Sequence, residues 1–420
     1  MTGRDDTESE LIALDAPAQG VPEVVQSADA LAQVVAAMAA GHGPVAVDAE
    51  RASGFRYGQR AYLIQLRRAG AGTALIDPIP LPDLSDLSAA LAQTEWVIHA
   101  ASQDLACLAQ VGLRPNRLFD TELAGRLLGL PRVGLGPIVA AELGLRLAKE
   151  HSAADWSTRP LPEAWLRYAA LDVEVLVELR DALASKLEQA GKLEWALQEF
   201  EAARLALPAP PKVQPWRRST NGVKDLRGLA VVRALWTARD EIARSTDTAP
   251  GRILPEAALA AAGRHKPQTL KQLSQLREFK HRVAARRLRT WATTIAQALE
   301  LPEDELPSRR PPREPGAIPA PRSWREREPD AVARLDVVKA VVRGRAAELE
   351  LPQENLLTPD FQRRLAWSPP QPSSPAAIAD LLTQWGARPW QVDQVATRLA
   401  TGFADPSSVL PNDPVPSEHS

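Results

Sequence analysis

The spacing of hydrophobic and polar positions divides this 420-residue chain into three stretches. From residue 22 to about 205, short Val- and Leu-rich runs alternate with longer amphipathic ones. "GPVAVDAE" (43–50), "YLIQLRRAG" (62–70), "GTALIDP" (72–78) and "WVIHA" (96–100) are compact apolar runs bounded by Gly or Pro, which predicts strands. "LSDLSAALAQ" (84–93), "SQDLACLAQVG" (102–112) and segments 120–129, 136–144 and 162–190 carry helical spacing. Strands first, then alternation, then helices predicts an α/β fold with a mixed sheet flanked by helices. Segments 218–300 and 327–403 show helical spacing only and predict two small all-α bundles. The Pro-rich stretches 207–217 and 301–326 read as linkers between these units, leaving 22–206 as the α/β domain. The polar ends, 1–21 and 404–420, are expected to be disordered. Both helical segments run from a long Ala/Arg-rich helix into "ILPEAAL" (253–259) or "LLTPDFQ" (356–362), a faint internal repeat.

Composition narrows the class. A hydrophobic content of 45% with 24% charged residues is that of a globular soluble chain. No apolar run is long enough for a transmembrane helix, so no membrane association is expected. The acidic start, "MTGRDDTESE", does not resemble a secretory leader. The single cysteine, Cys107, cannot form an internal disulfide, and zinc-ligand spacing is absent, so a reducing cytoplasm is expected. "GLPRVGLG" (129–136) lacks the Lys-Ser/Thr of a phosphate loop, so no nucleotide cofactor is expected. The formal net charge is only −2, yet residues 212–291 hold 18 Lys+Arg against 6 Asp+Glu. A basic module beside an acidic remainder points to a polyanion partner.

The carboxylates supply the candidate chemistry. Asp48 and Glu50 are i and i+2 at the end of a predicted strand and share a face. Asp104 opens the helix after "WVIHA", where strand ends and helix starts gather ligand groups. Tyr168 and Asp172 stand one helical turn apart in "YAALDVEVL". Four converging carboxylates would repel one another and hold their protons. Two divalent cations, Mg²⁺ or Mn²⁺, relieve that repulsion, and such a pair suits in-line phosphodiester displacement. The Tyr168 phenol would then orient the attacking water.

These motifs resemble the DEDD superfamily of 3′–5′ exonucleases in its tyrosine branch, and within it the ribonuclease D family. The resemblance rests on "VAVDAE" with "SGFRYGQRAYLIQL", on "IHAASQDLACL" and on "YAALDVEVL", supported by "LFDTELAGRLLGL" and "KEHSAADWSTRPLP". Segment 218–300 resembles an HRDC domain, and 327–403, with "ENLLTPDFQRRLAW" and "GARPWQVDQVA", a second HRDC-like module. The resemblance implies an RNase H-like sheet and a metal-dependent 3′–5′ exoribonuclease releasing nucleoside 5′-monophosphates from tRNA precursors and other small structured RNAs. It implies that Asp48 bridges two metals, that Glu50 and Asp172 complete the first site, and that Asp104 supports the second. Tyr168 matches the tyrosine that defines the branch.

Other residues carry two readings each. Phe55, Arg56, Tyr62 and Gln65 either contact terminal nucleotides or pack the sheet. His99 either reaches the scissile region or is a satisfied core histidine. Lys149, Trp156 and Arg159 flank the tyrosine helix; Arg159 either clamps phosphate or pairs with Asp155. Asp120 and Glu122 read as a helix N-cap and an exposed acid. Arg217, Arg218, Arg264, Lys266, Lys280, Arg282, Arg286 and Arg287 form a basic patch expected to meet RNA phosphates. The expected partner is the single-stranded 3′ end of a structured RNA, bound by a monomer. A DNA exonuclease of repair, or a silent RNA-binding scaffold, remain the alternatives.

Overall fold

The computed structural model describes residues 11–148, 153–207, 213–310 and 318–410. A six-stranded mixed sheet organises the first half. Its strands are β2 (Val24–Val25), β3 (His42–Arg51), β4 (Ala61–Ala69), β5 (Gly72–Ile76), β6 (Glu95–Ile98) and β7 (Arg117–Asp120), ordered β2-β5-β4-β3-β6-β7. β4 runs antiparallel to β3 and β5; β6 runs parallel to β3 and β7. Two outer strands, β1 (Ile12–Leu14) and β8 (Leu145–Leu147), pair in parallel. Residues 1–21 were expected to be disordered; residues 1–10 lie outside the described set, and Ile12–Leu14 is a strand because β8 offers it an edge.

Alternation along β3 sorts its side chains. Val45, Val47 and Ala49 enter a core with Ile64, Leu66 and Trp96, covered by α1 (Ala28–Ala40), α2 (Ser85–Ala90) and α3 (Leu105–Gln110). Ala46 joins Phe119, Leu176 and Leu179 on the opposite face, under α4 (Thr121–Leu127), α5 (Leu135–Leu143), α6 (Glu163–Glu174), α7 (Leu176–Gln189) and α8 (Leu193–Leu205). Asp48 and Glu50 follow Ala46 on that second face, where the sheet ends. The single helix predicted over 162–190 is two helices, because the chain turns at Val175 between α6 and α7. The turn ends α6 directly after the residues that face the sheet edge.

Two helical modules follow. The first contains α9 (Leu226–Ser245), α10 (Pro250–Ile253), α11 (Glu256–His265), α12 (Leu270–Gln275), α13 (Arg282–Ala285) and α14 (Leu288–Leu299) around Trp291 and Phe279. The second contains α15 (Trp324–Arg327), α16 (Pro329–Glu348), α17 (Gln353–Leu356), α18 (Pro359–Trp367), α19 (Pro375–Gln384) and α20 (Pro389–Ala404). Each runs from a 20-residue helix through a 4-residue helix into a third. Segments read as linkers also hold ordered turns: Pro215–Ser219, Glu303–Glu305 and Pro321–Ser323 are short 3-10 helices. No helix among the described residues is long and apolar enough to cross a membrane.

Candidate active site

A cleft of about 580 Å³ opens where β3 and β6 end against α6. Asp48, Glu50, His99, Asp104, Tyr168 and Asp172 all line it. β3 supplies the first two, and the antiparallel register sets Asp48 opposite Gln65 and Glu50 opposite Leu63. Asp104 is the N-cap residue of α3, reached through a 3-10 turn at Ala101–Gln103. Tyr168 and Asp172 come from α6, one turn apart, and the phenol is hydrogen-bonded to the Asp172 carboxylate.

The carboxylates sit in an unfavourable field. Burial pushes Asp48 up to about 6. Burial also raises Glu50 far above the usual carboxylate range, with Asp48, Asp172 and Asp104 adding to it. Asp104 is raised by burial and by Asp48, although Arg51 lies 3.5 Å away and opposes the shift. Burial and the neighbouring acids raise Tyr168 as well, so the phenol keeps its proton and serves as a donor. Carboxylate oxygens of Asp48, Glu50 and Asp172 come within 4.8 Å of one another. Two of its members buried and Asp48 half-buried, mutually repelling and made wholly of hard oxygen donors, this set fits a divalent metal ion.

The secondary residues divide. His99 faces the cleft; its Nδ1 is 2.9 Å from Thr121 Oγ1, and burial lowers its pKa to about 4. It is therefore a neutral imidazole at the edge of the site. Gln65 is fully buried on the face that carries Asp48, and neither amide atom has a protein partner among the described residues. Tyr62 is buried in the sheet, with the Arg60 guanidinium 4.9 Å from its ring centre. Trp156 is fully buried 6.4 Å from the Tyr168 ring, so it backs the tyrosine and does not meet solvent.

Arg159 finds a different carboxylate from the Asp155 expected as the alternative to a phosphate clamp. It grips Asp77 at 2.7 and 2.9 Å and donates to the carbonyls of Tyr62, Trp156 and Thr158. Its donors are committed to pinning the loop, and Asp155 bonds Ser157 instead. Arg56 likewise donates to Ser157 Oγ at 2.7 Å. Lys149 lies outside the described residues. Asp120 caps α4, accepting from the Glu122 and Leu123 amides, and also accepts from those of Ala100 and Ala101.

Of the basic patch, Lys266 is held by Asp225 at 2.7 Å and Arg264 by the Asn221 carbonyl at 2.8 Å. Arg217 donates to the Ser308 carbonyl and, with Lys224 and Arg309, lines one basic cavity. Arg218 and Arg264 line another. Lys280 and Arg282 are exposed. Arg286 and Arg287 line a cavity of about 470 Å³ with His281 and Arg252. Arg252 also touches the catalytic side: it donates to the Gly54 carbonyl at 2.8 Å and lies 3.9 Å over the Phe55 ring, and both residues line the cleft.

Sequence spacing missed two features. One is Arg51, which projects into the cleft beside Asp104. Strict alternation sends it to the face opposite Glu50, but the β3–β4 register shifts between these two residues. The other is the docking of the basic module on 54–57. The local charge excess gave its only signal.

Comparison with known proteins agrees with this architecture. Residues 22–188 match the 3′–5′ exonuclease family model, 228–295 the HRDC domain, and 317–403 the 3′ to 5′ exonuclease C-terminal domain. Ribonuclease D of Escherichia coli is 32% identical over 293 residues, covering 68% of this chain and 77% of that protein. Ribonuclease D of Acidiphilium cryptum is 31% identical over 310 residues, covering 71% and 77%. Among solved structures, a protein from Bifidobacterium adolescentis superposes with a TM-score of 0.85 at 38% identity, covering 94% of this chain and all of that one. The Escherichia coli RNase D structure, titled an exoribonuclease involved in structured RNA processing, gives a TM-score of 0.62 at 27% identity, covering 87% and 99%.

Proposed function

The chain belongs to the ribonuclease D family and is a 3′–5′ exoribonuclease, and on that premise we propose that Asp48, Glu50, Asp104, Tyr168 and Asp172 carry the reaction with two divalent cations, Mg²⁺ or Mn²⁺. The observation that carries this reading is the gathering of three buried carboxylates, the half-buried Asp48 and one tyrosine in a single cleft. Cations held there would supply Lewis-acid activation of water and of the scissile phosphodiester. Asp48, Glu50 and Asp172 would hold one, and Asp104 would support the second.

The protein's own groups do the rest. Tyr168, protonated and anchored on Asp172, offers a fixed phenol to orient the attacking water. Trp156 keeps the ring in place from behind. Phe55 presents an aromatic face to the terminal base. Neutral His99 adds hydrogen bonding without adding charge.

Residues 22–206 act as the catalytic unit, with 218–300 and 327–403 as its helical modules. The basic cavity lined by Arg252, Arg286 and Arg287 continues the cleft wall onto the first module and suits the phosphates of a single-stranded 3′ tail. The substrates proposed are 3′ ends of small structured RNAs, tRNA precursors among them. The proposed setting is the cytoplasm, where the enzyme acts as a monomer.

The test uses 5′-labelled RNA with a single-stranded 3′ tail, beside matching DNA. Wild type with Mg²⁺ or Mn²⁺ should give a ladder shrinking from the 3′ end, lost with chelator and in Asp48→Asn. A ladder that survives in Asp48→Asn would overturn the assignment. Equal cleavage of DNA would overturn the RNA preference.

A further inference from the structure

Among the described residues that line the catalytic cleft, Arg51 is the one guanidinium. It follows Glu50 directly, and its side chain is about one-quarter exposed, at 26%. Its Nε lies 3.5 Å from Asp104 Oδ1, and its terminal nitrogen donates to Gln103 Oε1 at 3.4 Å. Both contacts are long for charge-assisted hydrogen bonds, which run about 2.7–2.9 Å. The side chain therefore leans on Asp104 without being locked to it.

Asp104 differs from the other carboxylates. Asp48, Glu50 and Asp172 already converge as a set of metal-ligand oxygens, and Asp104 is not part of that set. It faces Arg51 instead. Three acids thus share one set of ligand oxygens, while the fourth faces a guanidinium of this chain.

Charge decides what happens next. Four ionised carboxylates and two divalent cations balance, and an incoming phosphodiester then leaves one negative charge uncompensated. Arg51 supplies the missing positive charge. A divalent ion at Asp104 outbids a single guanidinium, and the planar guanidinium fork suits phosphate oxygens better than an ammonium does. The reacting phosphate must lie at the carboxylates, within the sweep of a side chain that begins next to Glu50.

We propose that Arg51 exchanges partners during loading: it holds Asp104 until a second divalent cation arrives, and then binds the phosphate group of the RNA end. The second cation and the phosphate thereby favour each other, and the coupling is reciprocal. The exchange rests on the metal-dependent reading above and adds a residue to it.

The experiment measures binding on full-length protein. Mn²⁺ alone is titrated by calorimetry, and AMP, a nucleoside 5′-monophosphate product, is then titrated at saturating Mn²⁺. In Arg51→Gln the weaker Mn²⁺ step should tighten about fivefold while AMP weakens about tenfold. Arg51→Lys, which keeps the charge but not the fork, should return Mn²⁺ affinity toward wild type and recover AMP affinity only in part. A structural role alone would move neither constant. The exchange is overturned if Arg51→Gln binds both probes within about twofold of wild type, or if AMP weakens with no change in the Mn²⁺ steps. A wild type that binds no Mn²⁺ would instead remove the two-cation reading on which the exchange stands.

Discussion

The two helical modules meet the exonuclease domain in different ways. The C-terminal module shares its core: Phe119, Leu183 and Phe200 belong to one continuous apolar cluster with Leu335, Val338 and Trp390. Trp390 stacks on Trp195 at 4.9 Å, and its indole donates to Glu199, which also receives Arg388 at 2.6 Å. Lys192 reaches across to the Leu349 carbonyl at 2.7 Å. The basic module keeps a separate core and docks through mostly polar contacts on residues 54–57. Ala249 donates to the Phe55 carbonyl at 2.9 Å, and Tyr57 donates to Asp240 at 3.1 Å. A shared apolar core resists separation, whereas a polar seam of this kind holds geometry with little stability of its own. The first interface therefore maintains the fold, and the second shapes a cleft wall.

The contrast can be broken most sharply at Trp390. Trp390→Ala deletes the stack and leaves Glu199 facing Arg388 alone. Urea unfolding should show a loss of about 3–5 kcal/mol. A loss under about 1 kcal/mol would mean that the shared core is not what joins the modules. Next comes Gly129, which has a positive φ of 72° and where an added Cβ would stand 2.1 Å from the Glu350 carbonyl oxygen. Gly129→Ala should cost roughly 2 kcal/mol or more through the same interface.

The catalytic cleft sharpens the comparison from the other side, since it lowers stability. The Asp48 pKa is raised to about 6 from an ordinary 3.8. Below both values the carboxyl is protonated in folded and unfolded chains alike. The stability gained by holding that proton is lost as pH rises through the folded value. Metal-free Asp48→Asn should therefore be more stable than wild type at neutral pH, by up to about 3 kcal/mol, with the gap closing toward pH 4. Added Mg²⁺ should reverse the order by stabilising wild type alone. Thermal melts with chelator and with Mg²⁺ check both signs.

The smallest effect belongs to the polar seam. Arg252→Ala should change unfolding free energy by less than about 1 kcal/mol, yet lower kcat/KM on RNA about threefold to tenfold by loosening Phe55. Equal kcat/KM would show that the basic module contributes nothing to the cleft wall.

What the sequence made legible follows from which geometry is local. Asp48 with Glu50, and Tyr168 with Asp172, are fixed by strand and helix periodicity, so spacing alone placed each pair on one face. The strand–helix junction likewise placed Asp104 near them. Arg51 escaped notice because its orientation depends on a register shift between β3 and β4. Arg159 was ambiguous because its true acceptor, Asp77, lies 82 positions away. The turn at Val175 was hidden by continuous helical spacing through 162–190. The docking of Arg252 on Phe55 joins separate modules, and no periodicity within either one reports it.

The central claim is that the four carboxylates are a two-cation site. Anomalous scattering from a crystal soaked in Mn²⁺ tests it most directly. The account predicts two peaks in the cleft, one among Asp48, Glu50 and Asp172 and one toward Asp104, with both weakened in Asp48→Asn. No peak in the cleft, or peaks that persist unchanged in the variant, would contradict it.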